Sequence, residues 1–382
     1  MKTKISILIY SLASGGAERQ VSILLESLQD KYDLTLVLMN DTIFYTIPKD
    51  IKVVYLEKSK PVENGFKKLI KLPFLGWKYK KILKKNNIDI SFSFMTRPNY
   101  INIFSKLFGS KVKTIISERS HFSLQYSYNN LQSFINKILV KLYNYADMVI
   151  ANSKGNAQDL RLSFNICTKI QTICNAIDIQ KIDILQSGAI NVKTKKFVFV
   201  TIGRLDVGKN HQMIIDAMKS VDAMLWIIGD GELKNNLELI IDNLKLKDRV
   251  KLLGRQKNPY KFLSKADCFV FASNHEGFPN VLLEALACGL PVISTDCKSG
   301  PREILSPSSD IWVQLQNDIE LAKYGILTPV GSTLKLKEAM KLIMNDNELR
   351  PKYKKQSKQR AEDFKIEKII KQYEKILCMG RN

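Results

Sequence analysis

Along the 382 residues, short apolar runs of strand length alternate with longer segments whose apolar positions recur every three or four residues. In the first half the runs are Ile5–Tyr10, Leu34–Met39, Val53–Leu56, Ile90–Phe94, Lys113–Ile116 and Met148–Ala151. In the second half they are Phe197–Ile202, Met224–Ile228, Val250–Leu252, Cys268–Ala272 and Val292–Ser294. Runs apolar on both faces, separated by helices, predict parallel sheets covered on both sides. The chain is too long for one small core, and two such series predict two doubly wound α/β domains. The expected division is a first domain over 1–188, a second over 196–360, and a helix over 361–382 packing back on the first. The stretch Gln186–Lys196, polar and without a period, is the expected seam.

The opening segment, two lysines before an apolar run and small residues after it, has the outline of a secretory leader. Val21, Leu24, Leu25 and Leu28 at helical spacing in Glu18–Leu28 favour another reading: a buried strand, a glycine turn and an amphipathic helix of the fold. No apolar stretch approaches the ~20 residues of a membrane span. The six cysteines form no CxxC pair, which predicts thiols of a reducing compartment rather than a disulfide frame or a zinc site.

Lys plus Arg number 59 against 37 Asp plus Glu, a net charge of +22. Such a surplus favours a polyanionic partner: nucleic acid, an anionic bilayer or a phosphate-bearing substrate. The abundance of Lys, Asn and Ile together also fits a coding bias, so the location of the charge matters more than its total. The cluster that departs from an ordinary solvated helix is 66–85. There lysines interleave with Phe66, Leu69, Ile70, Leu72, Phe74, Leu75, Trp77, Tyr79, Ile82 and Leu83. Such a strip suits an anionic membrane surface, with rings inserted and ammonium groups on headgroups. The alternative is a surface helix whose lysine stems cover its own domain. No nucleic-acid module surrounds it, so nucleic acid is not an expected partner.

Candidate chemistry lies in three loops. Ser14-Gly-Gly-Ala17 opens the first helix, where glycines let a ligand approach amide groups at a positive helix end. It is not a GxGxxG fingerprint. Gly203-Arg-Leu-Asp-Val-Gly-Lys-Asn210 follows a strand, at the end where open α/β sheets bind ligands, and Arg204 and Lys209 suit a diphosphate. In Ser273–Gly289, Glu276 sits in a loop, Gly277 permits close approach, Pro279 suits a helix start, and Gly289 suits its end. Glu284 lies within that helix, eight residues on, up to about 12 Å away at ~1.5 Å per residue. That span matches a nucleotide sugar, with hexose hydroxyls at one carboxylate, ribose hydroxyls at the other and the diphosphate between.

Glu276 and Glu284 match an E-x7-E motif. With Arg204 and Lys209, Gly229-Asp-Gly-Glu232 and Asn175-Ala-Ile-Asp178, they make the chain resemble the family 4 retaining glycosyltransferases of the two-Rossmann (GT-B) type over essentially its whole length. Further segments narrow the likeness: Ile9–Arg19, Leu38–Asp41, Phe94–Tyr100, Asn152–Asn156 and Lys298–Gly300. They resemble the bacterial members that add N-acetylgalactosamine to undecaprenyl-diphosphate-linked saccharides in general protein N-glycosylation.

The resemblance implies two Rossmann-like domains facing across a cleft, the first binding acceptor and lipid and the second the donor, UDP-N-acetylgalactosamine. It implies catalytic roles for Glu276, on the donor hexose, and for Arg204 and Lys209, on the diphosphate. Glu284 would hold the ribose, and backbone amides of Gly277, Phe278, Asn280, Val281 and Leu282, with Gly15 and Gly16, would complete the nucleotide site. It implies a front-face reaction that needs no separate base. No Asp-x-Asp motif occurs, so neither a metal nor another cofactor is implied. Relatives often carry a histidine after Lys113–Ile116; here stand Glu118, Arg119, Ser120 and His121, leaving Arg119 or His121 to contact donor or acceptor. Ala176 stands where glycine is common. Arg19 and Arg97 are candidates for the acceptor's diphosphate or for ordinary surface ion pairs, His211 for closing the phosphate turn, and His275 for orienting Glu276 or for simple solvation. Arg302 and Glu303 are expected to face the donor sugar. The expected location is the cytoplasmic face of the inner membrane, peripherally. Two rival readings are a hexosyltransferase of O-antigen or capsule assembly and a non-catalytic nucleotide-sugar-binding protein.

Overall fold

The computed structural model describes residues 2–57, 65–126, 131–190 and 194–378, with backbone alone for 65–67. Two sheets, each of seven strands, carry the described chain. The first comprises β1 (Lys4–Ile9), β2 (Asp33–Leu38), β3 (Lys52–Tyr55), β4 (Ile90–Phe94), β5 (Lys113–Glu118), β6 (Met148–Ala151) and β7 (Ile170–Thr172). The second comprises β8 (Val198–Ile202), β9 (Met224–Ile228), β10 (Val250–Gly254), β11 (Cys268–Phe271), β12 (Val292–Thr295), β13 (Glu320–Ala322) and β14 (Gly325–Thr328). Their orders are β3-β2-β1-β4-β5-β6-β7 and β10-β9-β8-β11-β12-β14-β13. All neighbours run parallel except β13 against β14. The central strands are buried on both faces, so their sequences are mostly apolar, and the buried serines of β1 and β4 are paired inside the unit: Ser6 and Ser91 with Tyr79, and Ser93 with Asn99.

The chain divides into two compact units, Met1–Ala176 with Ile366–Asn382, and Ile177–Lys365. The division therefore falls upstream of the polar seam expected near 188–196. Gln20 explains where the first unit ends: its side chain accepts from the Ala176 N–H (2.7 Å) and donates to the Ala176 carbonyl (2.9 Å). The helix Ile179–Leu185 and the following turn belong to the second unit, tied there by Asn258 to the Leu185 carbonyl (2.8 Å) and Ser264 to that of Gln186 (2.8 Å). Residues 191–193 of the expected seam lie outside the described residues. At the other end, the Ile177 N–H donates to the Phe364 carbonyl (2.8 Å), so residues up to Lys365 stay with the second unit. The helix Ile366–Cys378 then buries Ile369, Ile370, Tyr373, Ile376 and Leu377 in the layer that also holds β1, β2, β4 and the helix Gly16–Leu28.

The basic–aromatic cluster of the first unit separates into two faces. In the helix Leu72–Lys85, Leu72, Leu75, Tyr79 and Leu83 are buried in the core. Phe74 and Trp77 are exposed on the other side beside Lys71, Lys81, Lys84 and Lys85, with the Lys81 ammonium 3.4 Å from the Trp77 ring centre. Lys80 caps the Phe108 carbonyl (2.6 Å) and Lys78 the Leu56 carbonyl. The side chains of Phe66 and Lys67 lie outside the described residues. A second exposed apolar stripe, Leu131, Phe134 and Ile138, runs along the helix Leu131–Leu139. No helix among the described residues is long and apolar enough to cross a membrane.

Candidate functional site

In the second sheet the strand order reverses between β8 and β11, so the crevice outside their carboxyl ends is a topological switch point. The two loops that leave those strands are Gly203–Asn210 and Ser273–Pro279. The first is braced from β9: the Gly203 N–H donates to the Ile228 carbonyl (3.1 Å) and that of Leu205 to Asp230 (3.0 Å), while the Leu233 N–H donates back to Leu205 (3.0 Å). Gly229, at φ 154°, has no side chain because a Cβ there would strike the Gly203 carbonyl. The Gly229–Glu232 motif thus shapes the turn that carries Arg204 and Lys209. Asp206 tightens it by accepting from the Lys209 N–H (3.0 Å), and the Asn274 N–H joins it to the second loop through the Gly208 carbonyl (2.9 Å).

Across this junction the Lys209 ammonium contacts the Glu276 carboxylate and lies 5.6 Å from the Phe271 ring centre. Ser273 donates to the same Glu276 oxygen (2.7 Å), and Thr295 donates to the Ser273 carbonyl (2.6 Å). Ser273 and Lys209, rather than His275, orient Glu276; His275 is exposed and its ring lies 3.3 Å from where a Cβ on Gly208 would stand. Serine three residues before the glutamate was the signal for Ser273, and serine is too common a loop residue to have stood out. Arg204 is far freer than Lys209, with side chains 76% and 28% exposed, and its nearest carboxylate is Asp206 at 3.8 Å. His211 is buried beneath the turn, its ring 3.2 Å from a Cβ built on Gly203; burial above all lowers its pKa to about 4, so it is neutral.

The helix Asn280–Ala287 follows Pro279, which occupies its N-cap. Its first turn carries the positive end of the helix dipole. The Leu282 N–H is already taken by the Pro279 carbonyl (3.2 Å). Glu284 is buried in this helix, and Gly289, at φ 73°, follows its end. Phe278 is buried edge-on against Phe364 (5.6 Å), which holds the loop down.

Arg302 does not face the crevice as the sequence suggested. Its guanidinium is spent on Asp296 (2.6, 3.0 and 3.1 Å), Glu320 (2.9 Å) and Ser309 (3.0 Å). A buried guanidinium needs partners for its donors, and they come from the residue after β12 (Asp296), a later turn (Ser309) and the start of β13 (Glu320). The Glu303 carbonyl accepts from Arg360 (2.8 Å).

The remaining candidates lie in the first unit. Gly15 is the N-cap of the helix Gly16–Leu28, and the Glu18 carboxylate lies against the place a Gly15 side chain would take; Arg19 is half-buried on the first turn. Arg97, on the first turn of the helix Thr96–Leu107, pairs with Glu57 (2.9 Å) with its guanidinium 5.9 Å from the Tyr10 ring centre. Arg119 contacts Asn175 and donates weakly to Tyr373 (3.4 Å), which clips the end of β5 to the C-terminal helix. His121 Nδ1 lies 3.3 Å from Asp159. Neither Arg119 nor His121 is an unengaged side chain. At the end of β5, Glu118 is fully buried and accepts from Tyr143 (2.7 Å), the Arg119 N–H (2.9 Å), Ser120 (3.0 Å) and Thr96 (3.3 Å). Burial raises its pKa, and those donors partly offset the rise.

Residues 14–181 match the family model described as Glycosyltransferase Family 4, and residues 184–360 the model described as Glycosyl transferases group 1. The chain is 41% identical over 96% of its length, and 97% of the relative's, to the N-acetylgalactosamine-N,N'-diacetylbacillosaminyl-diphospho-undecaprenol 4-alpha-N-acetylgalactosaminyltransferase of Campylobacter jejuni. A further C. jejuni relative, the GalNAc-alpha-(1->4)-GalNAc-alpha-(1->3)-diNAcBac-PP-undecaprenol alpha-1,4-N-acetyl-D-galactosaminyltransferase, is 27% identical over 99% of both chains. Sucrose-phosphate synthase from Thermosynechococcus elongatus has the same fold, with a TM-score of 0.83 at 18% identity over 99% of both chains. So does Anabaena HepE in complex with UDP and glucose, with a TM-score of 0.76 at 20% identity over 98% of this chain and 99% of that one. The two family models and the full-length relative make the two Rossmann-like units those of a glycosyltransferase of the GT-B class. The chain belongs to the family 4 glycosyltransferases.

Proposed function

We propose that the protein transfers N-acetylgalactosamine from UDP-N-acetylgalactosamine to an undecaprenyl-diphosphate-linked oligosaccharide, with retention at the anomeric carbon, in protein N-glycosylation. The observation that carries this reading is the Lys209–Glu276 contact at the switch point beside the amino end of the helix that buries Glu284. The full-length likeness to a transferase of that name supports the choice of sugar and lipid carrier.

In this reading Glu276 exchanges part of its contact with Lys209 for hexose hydroxyls, and Glu284 takes the ribose hydroxyls. Arg204, Lys209 and the amides of Gly277, Phe278, Asn280 and Val281 meet the diphosphate. The bond from the anomeric carbon to the β-phosphate oxygen breaks as the acceptor oxygen attacks from the same face. The acceptor's hydroxyl proton passes to an oxygen of the departing diphosphate. Negative charge grows on that group in the transition state, so fixed cations and helix amides aimed at it lower the barrier more than they tighten ground-state binding. Those groups meet the charge without calling on a metal. In a glycosidase, by contrast, two carboxylates work as acid and nucleophile and need no neighbouring diphosphate cradle.

The exposed face of the helix Leu72–Lys85 fits a peripheral site on the anionic cytoplasmic leaflet, where the lipid carrier lies. Phe74 and Trp77 are flanked there by Lys71, Lys81, Lys84 and Lys85. The purified protein, incubated with a panel of UDP-sugars and polyprenyl-diphosphate acceptors, should extend the acceptor by N-acetylgalactosamine, read as added mass. Transfer of another hexose would point to O-antigen or capsule assembly instead. UDP-sugar binding without transfer would leave a recognition protein.

A further inference from the structure

Beyond β12 the chain makes a turn that the reaction above does not use. Ser299 has φ 66° and Gly300 has φ 88°, two successive residues in the left-handed region. Glycine adopts that backbone at no steric cost, and the chain uses it at 300. There a Cβ would come within 2.5 Å of Pro279 Cδ and 3.2 Å of the Gly277 carbonyl. At 299 it carries serine, which takes this conformation only under strain. The Ser299 hydroxyl is also shut from solvent and finds no hydrogen-bond partner among the described residues. A position that served the turn alone would be better filled by glycine on both counts. Strain that persists with an unpaired buried hydroxyl points from backbone to function.

The surroundings say which part of a ligand is addressed. Gly300 seats the turn against Gly277, Phe278 and Pro279, the residues immediately after Glu276. Two residues before Ser299, the buried thiol of Cys297 lies within electrostatic reach of both Glu276 and Lys209. The turn therefore flanks the hexose-binding carboxylate rather than the ribose end at Glu284. Resting on the donor reading above, the geometry assigns Ser299 as a specificity residue whose hydroxyl bonds a neutral polar substituent of the transferred hexose, a ring hydroxyl or the acetamido group.

The test is equilibrium binding of UDP, UDP-N-acetylgalactosamine and UDP-galactose to the full-length wild type, Ser299→Ala and Ser299→Gly. Ser299→Gly relieves the backbone strain, so its thermal midpoint should equal or exceed that of the wild type and remove misfolding as a cause. Both variants should bind UDP as the wild type does and UDP-N-acetylgalactosamine about ten-fold more weakly. A loss confined to that donor identifies the acetamido group, and an equal loss with UDP-galactose identifies a ring hydroxyl. Unchanged sugar-nucleotide affinity in both variants overturns the assignment, as does an equal loss for UDP itself. A wild type that ignores UDP sinks the donor reading instead, so the two failures are told apart.

Discussion

The Lys209 ammonium rests on the Glu276 carboxylate, tying together the loops that leave β8 and β11 on either side of the second sheet's switch point. Each group holds the other aimed at the crevice, so removing one also releases its partner. Glu276→Ala and Lys209→Ala should each lower kcat by about 10²-fold or more while circular dichroism and Tm stay near those of the wild type. Near-normal turnover in either removes its role.

Ser273 acts through Glu276 and is a positioning residue. Ser273→Ala should lower kcat about ten-fold with UDP affinity unchanged, and Ser273→Thr should recover most of the loss. Equal weakening of UDP binding would mean that the serine supports the whole loop.

Arg302 gives the opposite pattern. Removing a buried partner strands the Asp296 charge, so Arg302→Ala should cost about 3–5 kcal/mol of stability by urea denaturation. At temperatures where the variant remains folded, its UDP affinity should match the wild type. A variant that is stable but has lost UDP binding would restore the ligand-facing role that the sequence suggested.

His211 ties stability to pH. Its pKa falls from 6.5 in the unfolded chain to about 4 in the fold, so the unfolded state binds the extra proton between those values. Stability is fully present above pH 6.5 and declines as pH falls towards 4, by about 3 kcal/mol from this group. Urea midpoints of wild type and His211→Gln between pH 7.5 and 4.5 should diverge in slope, with the variant flatter. Parallel slopes would contradict the assignment.

Replacing Lys71, Lys81, Lys84 and Lys85 with serine should weaken binding to phosphatidylglycerol vesicles about 10²- to 10³-fold, at ~1 kcal/mol per lysine. Transfer to a short soluble acceptor should persist. Equal losses in both assays would speak against the membrane face.

The doubly wound fold was legible because parallel strands buried on both faces write mostly apolar runs, and all eleven expected runs coincide with strands. The missing ones were β7 and β13, three-residue edge strands with little burial, and β14, short and entered through Gly325. The seam was misplaced because polarity marks exposure, whereas the division depends on the Gln20 clamp on Ala176, a contact across 156 positions. The same limit governed the sites. Glu276 and Lys209 stood in motifs, but the pairing of Arg97 with Glu57, Arg119 with Asn175 and Arg302 with Asp296 depends on which loops the sheets bring together. A free cation and a spent one look alike in sequence.

Isothermal titration of UDP into the full-length wild type, Lys209→Ala and Glu284→Ala tests the nucleotide site most directly. Saturable heat is expected with the wild type, and affinity at least about ten-fold weaker in each variant. No heat with the wild type, or the same affinity in all three proteins, would mean that no diphosphate is held there.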